Sequence, residues 1–329
     1  MISNTTLQEI GKTLLDSRSV ILFPHENPDG DAIGSCVALC AALRKSGVDA
    51  WVLIDEPLSD YIDFIDGPDE NGEFCCTTDK NCIEDPEVCM FVDCSGVDRI
   101  PGREGIFSAG EKTICIDHHR TASSEEDHFY IDGEEAAACQ IIYKLLREMN
   151  VTFDRRIANA VYTGLCTDTG NFQYSNTTTE THRIAAELFA LGVDHDDIMV
   201  RLYQNVDLKQ TRLESAALRE MELYAGGKAA IAVVSQHMLR EFEAGLEHAD
   251  NLINVLRDIK GVEVATVIKE REDGAAKVSF RSKSYVDVSA IAAQFGGGGH
   301  VRASGGTLYE GLEEAKAMVM EIVEQALNP

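Results

Sequence analysis

The chain has 329 residues, of which 44% are hydrophobic and 26% are charged, and its formal net charge is −27. This composition is ordinary for a globular protein, and the length is sufficient for two domains that each bury a core. No apolar run approaches about 18 residues and the N-terminal segment is polar, so we expect no membrane span, no export and a cytoplasmic protein. The negative charge disfavours duplex DNA and acidic membrane surfaces as partners.

The charge is unevenly distributed, which constrains how an anionic ligand could bind. Residues 1–190 carry 14 basic and 34 acidic residues, a net charge of −20, whereas residues 255–302 carry 8 basic and 6 acidic residues, a net charge of +2. An anionic ligand would therefore need metal ions in the first region and a basic patch in the second. A short oligonucleotide or a mononucleotide satisfies these conditions better than a duplex.

The cysteine pattern bears on the redox compartment. All ten cysteines lie between Cys36 and Cys166, and none belongs to a Cys-x-x-Cys pair. We therefore expect free thiols rather than disulfides, a zinc ribbon or a redox motif. A less favoured alternative is that the more closely spaced Cys75, Cys76, Cys82 and Cys89 together bind a ligand.

The first part of the chain alternates between predicted strands and predicted helices. Short apolar runs indicate strands, and apolar residues at helical spacing indicate helices. The predicted strands are 19–23, 47–54, 88–92 and 112–116, and the predicted helices are 1–18, 32–45, 134–150, 155–166 and 179–191. This alternation is typical of an open, mainly parallel α/β sheet with helices on both faces.

The second part of the chain has a different pattern. Residues 194–225 are predicted to form bridging helices, and a smaller mixed α/β domain follows. Its predicted strands are 229–234, 262–269 and 275–282, and its predicted helices are 237–248, 249–258, 288–295 and 312–327. The sequence thus predicts a first domain over 1–192, a helical linker over 193–226 and a second domain over 227–329.

Side chains that can bind a metal follow the predicted strands of the first domain. In an open α/β sheet, ligands bind outside the carboxyl ends of the strands, so these side chains should converge at one edge. Asp168, where a buried helix breaks, joins the group. In chain order the candidates are His25, Asp29, Asp31, Asp93, Asp117, His118, His119 and Asp168.

Each of these residues also has a structural interpretation. Asp31 could be a helix N-cap with His25 on the surface, and Asp93 could accept backbone N–H groups at a strand end. One cap needs only one aspartate, however, and the loop carries two carboxylates beside a histidine. This redundancy favours a metal site.

The residue types indicate which metals would bind. Imidazole with several carboxylates and no thiolate suits Mn²⁺, Mg²⁺ or similar ions better than a structural zinc ion. Six ligands are more than one ion needs, whereas two ions about 3.5–4 Å apart that share a carboxylate would use them all. Such a pair activates water as a nucleophile and stabilises an in-line displacement at phosphorus. The chemistry alone therefore predicts hydrolysis of a phosphoester.

The same residues resemble the motifs of the DHH phosphoesterases, in order and in placement at strand ends. The matching segments are His25-x-Asn27-Pro28-Asp29-x-Asp31, Asp93, Asp117-His118-His119 and Thr167-Asp168-Thr169-Gly170. Phe280-Arg281-Ser282 and Gly296–His300 resemble the DHH-associated C-terminal domain. Nearly the whole chain is covered, and its two-domain length is most similar to the nanoRNases that also dephosphorylate 3′-phosphoadenosine 5′-phosphate.

The resemblance implies a role for each residue of the first domain. One ion would be bound by His25, Asp29 and Asp93, and the other by Asp31, Asp93, His118 and Asp168. Two Mn²⁺ ions are expected, with Mg²⁺ or Co²⁺ as substitutes. Asp117 would orient a ligand histidine, and His119 would stabilise the charge that develops on the scissile phosphate.

For the second domain, the resemblance implies contacts with the substrate. Arg281 would bind a substrate phosphate, Gly297, Gly298 and Gly299 would let a nucleotide approach the backbone, and His300 would contact sugar, base or phosphate. The structural alternatives are a surface cation at Arg281 and a flexible glycine loop.

Several other side chains remain open as candidates. Phe172 and Tyr174 could stack on a base, or could be buried after the helix break. Arg99, Arg103 and Arg120 could reach a phosphate near the metal ions.

The expected activity is metal-dependent hydrolysis of short single-stranded oligoribonucleotides to 5′-mononucleotides, and of 3′-phosphoadenosine 5′-phosphate to AMP. One alternative is hydrolysis of cyclic dinucleotides or their linear products at the same site. Another is a nucleotide-binding module without catalysis. The sequence leaves open cleavage polarity and whether the chain forms a homodimer.

Overall fold

The computed structural model describes residues 1–120 and 122–327, except for the side chain of His300. The chain divides into two compact units, Met1–Gln204 and a second that begins at Asn205. The division lies inside the segment predicted as a linker. In the described residues, no helix combines the length and apolar character needed to cross a bilayer.

The first unit contains a sheet surrounded by helices. Its strands are β1 (Ile2–Ser3), β2 (Ser19–Phe23), β3 (Asp49–Leu53), β4 (Cys76–Thr77), β5 (Val88–Val92), β6 (Lys112–Asp117) and β7 (His128–Ile131). Its helices are α1 (Leu7–Asp16), α2 (Gly30–Lys45), α3 (Glu104–Phe107), α4 (Ala138–Glu148), α5 (Arg155–Asp168), α6 (Thr179–Ala190) and α7 (His195–Tyr203). Short 3₁₀ turns span Asp63–Asp66 and Val97–Arg99.

The strand order of this sheet is β1-β7-β6-β5-β2-β3-β4. Strands β2 to β7 pair in parallel, and β1 pairs with β7 in the antiparallel direction. The mainly parallel sheet is therefore confirmed. Because β6, β5 and β2 are neighbours, the three polar sequences that follow them meet at one edge.

The two faces of the sheet are covered unequally. Val20 and Leu22 face a large core formed with α1, α2, α4, α5, α6 and α7. Ile21 and Phe23 face a smaller cluster in which Phe107 of α3 stacks on Phe91, with ring centroids 3.8 Å apart. Helices thus lie on both faces of the sheet, as predicted. In the described part of the unit, the second face is covered by the short helix α3, whereas the first face is covered by six helices.

The second unit contains a mixed sheet between two layers of helices. Its strands are β8 (Glu222–Tyr224), β9 (Ala229–Val234), β10 (Val264–Glu270), β11 (Ala276–Ser282), β12 (Gly298–His300) and β13 (Ala303–Leu308). Its helices are α8 (Leu208–Arg219), α9 (Gln236–Glu241), α10 (Leu252–Asp258), α11 (Val288–Ala293) and α12 (Leu312–Leu327), and 3₁₀ turns span Ala225–Gly227 and Leu246–Ala249. The strand order is β12-β13-β11-β10-β9-β8, with β9 and β10 parallel and the other pairs antiparallel.

The helices of the predicted linker are present, but each is packed into a unit. Ile198 and Leu202 of α7 belong to the core of the first unit. Leu213 and Ala217 of α8 pack with α9, α10 and one face of the second sheet, while α11 and α12 cover the other face. The two helices are therefore parts of the domains, since each buries its apolar side in one of them.

Candidate metal centre

The loop between β2 and α2 positions two carboxylates by capping helices. Asp29 is the N-cap of α2, and its Oδ1 accepts hydrogen bonds from the backbone N–H groups of Asp31 and Ala32 at 2.9 and 3.0 Å. Asp31 is buried, and its oxygens accept N–H groups of Ala138 and Cys139 at the start of α4, at 2.6 and 2.8 Å. The alternative that Asp31 caps its own helix is thus wrong, because Asp29 has that role.

Asp93, which follows β5, has an unusual environment. The residue is 2% exposed, and its backbone adopts a left-handed φ of 62°. Its Oδ1 is buried and has no hydrogen-bond partner among the described residues. The structural alternative, a carboxylate satisfied by backbone N–H groups, is therefore not realised for this oxygen. A buried carboxylate oxygen without a partner is costly unless a cation binds it.

The imidazole of His118 faces three carboxylates. Its Nε2 lies 3.4 Å from Oδ1 of Asp93, 3.4 Å from Oδ2 of Asp168 and 3.7 Å from Oδ2 of Asp31. Its Nδ1 lies 3.3 Å from the carbonyl oxygen of Glu135. A carbonyl can only accept, so this contact places the proton on Nδ1 and leaves the Nε2 lone pair for a metal.

His25 repeats this arrangement on the other side of Asp93. Its Nδ1 lies 2.8 Å from the carbonyl oxygen of Glu26, and its Nε2 lies 3.8 Å from Oδ2 of Asp93. The two oxygens of Asp93 therefore face different histidines, with His118 beside Oδ1 and His25 beside Oδ2. This geometry suits a carboxylate that is shared by two ions.

Asp117 contacts His119. Its Oδ1 accepts hydrogen bonds from the backbone N–H and the Nδ1–H of His119, at 3.0 and 2.6 Å. Burial would raise the pKa of Asp117, but these hydrogen bonds and the nearby imidazole charges outweigh it and lower that pKa. The histidine that Asp117 contacts is thus His119.

The side chains form overlapping groups of ligand atoms that lie within 4.8 Å of one another. The groups are His25–Asp29–Asp93, Asp31–His118–Asp168 and Asp93–His118–His119. The first group is the first predicted ligand set, and the second is the other predicted set without Asp93, whose Oδ1 lies 3.4 Å from Nε2 of His118. Oxygen and imidazole donors without thiolate fit a pair of divalent ions such as Mn²⁺ or Mg²⁺.

The electrostatics of the site also indicate that it needs positive charge. Burial, reinforced by neighbouring carboxylates, raises the pKa of Asp31, Asp93 and Asp168. Burial would lower the pKa of His118, but its close contact with the Asp93 carboxylate and the charges of Asp31, Asp93 and Asp168 outweigh it and raise that pKa well above the usual value. Asp168 is also the last residue of α5, where the helix dipole disfavours an anion.

The remaining predicted substrate contacts lie in the second unit. Arg281 is in β11, where its Nη1 donates to the carbonyl oxygen of Phe280 at 3.0 Å. A Cβ at Gly297 would overlap the carbonyl oxygen of Gly305, and one at Gly299 would lie 2.6 Å from that of Ala303. Those glycines are needed for close pairing with β13.

The space beside Gly298 is open, because an added Cβ there would meet no atom within 4 Å. Of the three predicted contacts Gly297, Gly298 and Gly299, Gly298 is thus the one whose surroundings permit a close approach by a ligand. The side chain of His300, the other predicted contact, lies outside the described part of the chain.

The three arginine candidates near the site have different environments. Arg103 is 1% exposed, forms an ion pair with Asp55 at 2.7 Å and donates to the carbonyl oxygen of Leu53 at 2.7 Å. It therefore supports β3 and cannot reach a ligand. Arg120 is paired with Glu134 at 3.1 Å, and the side chain of Arg99 is exposed.

Other parts of the site have no sequence signal. The amide of Asn176 donates to the carbonyl oxygens of Ala136 and Asp168, at 2.9 and 3.0 Å. The Glu135 carbonyl and the first backbone N–H groups of α4 support His118 and Asp31 in the same way. All these contacts involve backbone groups, whose positions depend on the fold and cannot be read from residue types. The ten cysteines are free thiols, as expected, and none belongs to a metal-binding group among the described residues.

Comparison with known proteins agrees with this geometry. Residues 19–165 match the DHH family, N-terminal domain, and residues 216–328 match the DHHA1 domain. The chain is 33% identical over 312 residues to the bifunctional oligoribonuclease and PAP phosphatase NrnA of Thermus thermophilus, which covers 94% of this chain and 90% of that protein. The protein of the same name from Bacillus subtilis is 26% identical over 304 residues, with coverages of 92% and 93%.

A solved structure is similar over almost the entire length. The crystal structure of an exopolyphosphatase-related protein from Bacteroides fragilis superposes with a TM-score of 0.88 at 25% identity, covering 99% of this chain and 96% of that one. Together with the family matches and the converging carboxylates and histidines, this similarity leads to one conclusion: the chain belongs to the DHH family and is a metal-dependent phosphoesterase.

Proposed function

We propose that this enzyme hydrolyses short single-stranded oligoribonucleotides to 5′-mononucleotides and also removes the 3′-phosphate of 3′-phosphoadenosine 5′-phosphate. The observation that carries this proposal is the buried Asp93, whose two oxygens face different groups of metal ligands. Relatives named bifunctional oligoribonuclease and PAP phosphatase, which align over more than nine-tenths of this chain, support the choice of substrates.

The residues that would bind the metal ions are those of the two ligand groups. His25, Asp29 and Asp93 would bind one ion, and Asp31, Asp93, His118 and Asp168 the other. When bound, two divalent ions supply a nucleophilic hydroxide at neutral pH and neutralise charge on the phosphate. We further propose that the native ion is Mn²⁺, with Mg²⁺ or Co²⁺ as substitutes, and that the enzyme works in the cytoplasm.

His119 would act on the phosphate itself. Asp117 accepts the Nδ1–H of His119, so the imidazolium form of the ring can donate its Nε2–H to a substrate oxygen. The side chain of His119 is 31% exposed, whereas that of Asp117 is 2% exposed. The aspartate thus fixes the ring from inside, and the ring stabilises negative charge that develops on the phosphate oxygens during displacement.

The second unit would supply further substrate contacts. Arg281 would bind a phosphate, since a planar guanidinium can donate two parallel hydrogen bonds to it. Gly298 would allow a nucleotide to approach the backbone, and His300 would contact the same nucleotide. We expect Arg281→Ala to raise KM for a dinucleotide more than it lowers kcat.

The test of this function is product analysis by chromatography. RNAs of two to eight nucleotides, 3′-phosphoadenosine 5′-phosphate and cyclic di-AMP are incubated separately with the enzyme and Mn²⁺. The proposal predicts 5′-mononucleotides from the shortest RNAs and AMP from the bisphosphorylated nucleotide. Faster turnover of cyclic di-AMP than of any RNA would instead favour the cyclic-dinucleotide alternative. Tight binding of RNA without any product would favour a nucleotide-binding module.

A further inference from the structure

The loop after the metal-ligand candidate Asp168 contains two aromatic residues with different environments. Phe172 is packed into the unit, with its ring stacked on His182 at a centroid distance of 5.3 Å and beside Tyr162 at 6.1 Å. Tyr174 is 37% exposed. Of the two aromatic side chains that could stack on a base, the structure therefore favours Tyr174.

The backbone of this loop is held in an uncommon conformation. Gly170, Asn171 and Phe172 are consecutive residues in the left-handed region, with φ values of 56°, 56° and 64°. Backbone hydrogen bonds stabilise the loop, from Asn171 to Cys166 at 2.7 Å and from Tyr174 to Thr169 at 2.9 Å. Conformations of this kind concentrate at functional sites, because a residue is being held in a required position.

The residue that is held in position is Tyr174. Its ring lies directly against Gly170, where a Cβ would overlap three of the ring carbons. One face of the ring is thus supported by backbone, six residues after Asp168. A supported aromatic ring with an exposed remainder has the properties of a stacking platform.

Two further tyrosines, Tyr61 and Tyr203, each interact electrostatically with Tyr174. Tyr61 is 47% exposed and Tyr203 is 40% exposed, and the Tyr203 hydroxyl donates to the carbonyl oxygen of Cys166 at 3.0 Å. Burial, followed by the proximity of Asp29 and Tyr174, raises the pKa of Tyr61. Tyr61 is therefore a neighbour of both the metal-ligand candidate Asp29 and Tyr174. We call Tyr61, Tyr174 and Tyr203 the tyrosine patch.

We propose that the tyrosine patch binds a nucleobase of the oligoribonucleotide, with Tyr174 as the stacking platform. A nucleobase fits because each base has an aromatic face, so a tyrosine platform accepts different sequences. The acidic first unit offers little attraction for further phosphates, so stacking would be the main source of affinity that this unit adds to the metal ions. This inference rests on the proposed function.

The experiment compares steady-state kinetics on pApA and on two abasic analogues of it. Each analogue lacks one of the two bases, so one of them lacks the base that would stack. Tyr174→Ala should raise KM for pApA by roughly 5- to 100-fold with a smaller effect on kcat, whereas Tyr174→Phe should restore KM. The abasic analogue at the stacked position should show no difference between wild type and Tyr174→Ala. Tyr309→Ala, at an 83% exposed tyrosine of the second unit, is the matched control.

A binding measurement separates this inference from the proposed function. Calorimetry with a non-hydrolysable methylene-phosphonate analogue of pApA should show weaker binding to Tyr174→Ala than to wild type and Tyr174→Phe. Equal affinities of all three proteins, or an equal loss on pApA and both abasic analogues, would overturn the inference. If binding of the analogue depends on Tyr174 but pApA is not cleaved, the result contradicts the proposed function and still agrees with base stacking on Tyr174.

Discussion

Asp93 combines three features that are each unfavourable for a protein without metal. Its carboxylate is buried, its backbone is left-handed and its Oδ1 has no hydrogen-bond partner among the described residues. Such features persist where the surrounding structure enforces them and where function requires them. The β5 strand enforces the position, since Val88–Val92 is buried throughout.

We predict that Asp93→Asn removes metal binding but stabilises the protein in the presence of a chelator. The raised pKa of Asp93 means that its ionised form destabilises the fold at pH values above the folded-state pKa, and that this cost disappears as the pH falls below the unfolded-state pKa. An uncharged amide avoids it, so the variant should gain about 1–3 kcal/mol at pH 8 and less at pH 5.

Thermal unfolding in EDTA and hydrolysis of a dinucleotide with Mn²⁺ check this prediction. Asp16→Asn is the control, because Asp16 is an exposed carboxylate at the end of α1. A variant that retained manganese-dependent turnover would contradict the assignment of Asp93, and so would one that lost stability in EDTA.

A substitution at Gly170 tests whether the Tyr174 ring is packed firmly against the backbone of Gly170. Gly170→Ala should destabilise the protein by about 1–3 kcal/mol, because it places a side chain at a positive φ and forces the ring to move. Gly72→Ala is a matched control, since Gly72 has a φ of 83° and open space around an added Cβ. Denaturant titration should show the larger loss for Gly170→Ala; equal losses would mean that the ring is free to move aside.

At the scale of single elements, local sequence patterns predicted the bounds of some strands that are almost entirely buried. Strands β2, β5 and β9 have the predicted bounds because each is a continuous apolar run between turn signals, as buried strands are. Strands β1, β4 and β7 were missed because they have two to four residues and are mostly half-exposed. Too few side chains alternate in them to produce a recognisable period.

The glycine run illustrates a different limit. Residues 296–300 were predicted as a loop, but Gly298–His300 forms β12 by pairing with Ala303–Leu308. Glycine has low strand propensity, so the pairing depends on how closely the two backbones approach. The metal-ligand candidates, in contrast, were predictable because each lies near an end of a strand or helix, and these ends are marked in the sequence.

Helix α1 offers a prediction on stability that is independent of the site. Thr6 and Glu9 form a capping box, in which the Glu9 N–H donates to Oγ1 of Thr6 and the Thr6 N–H donates to Oε2 of Glu9. Thr6→Ala should lower the free energy of unfolding by about 1 kcal/mol and leave kcat on a dinucleotide unchanged, whereas Gln8→Ala on the same helix should change neither. A loss of activity in Thr6→Ala would show that α1 affects the metal centre.

At the scale of the whole molecule, bound divalent metal ions would offset part of the net charge of −27. Three aspartates with raised pKa values lie within reach of one imidazole. Divalent ions that bind the folded chain should therefore stabilise it by about 2.7 kcal/mol at a free concentration of 100 times the dissociation constant.

Thermal unfolding with increasing Mn²⁺ should show a rising midpoint that EDTA reverses. The same titration on Asp93→Asn, which retains the rest of the negative charge, separates specific binding from general screening. An equal rise in both proteins would show that screening alone is responsible.

The central claim is that Asp93 is shared by two metal ions, and anomalous diffraction at the manganese edge tests it most directly. Crystals grown with Mn²⁺ should show two anomalous peaks, one beside His25 and Asp29 and one beside Asp31, His118 and Asp168, each in contact with an oxygen of Asp93. A single peak, or two peaks with Asp93 bound to neither or to only one, would contradict the account.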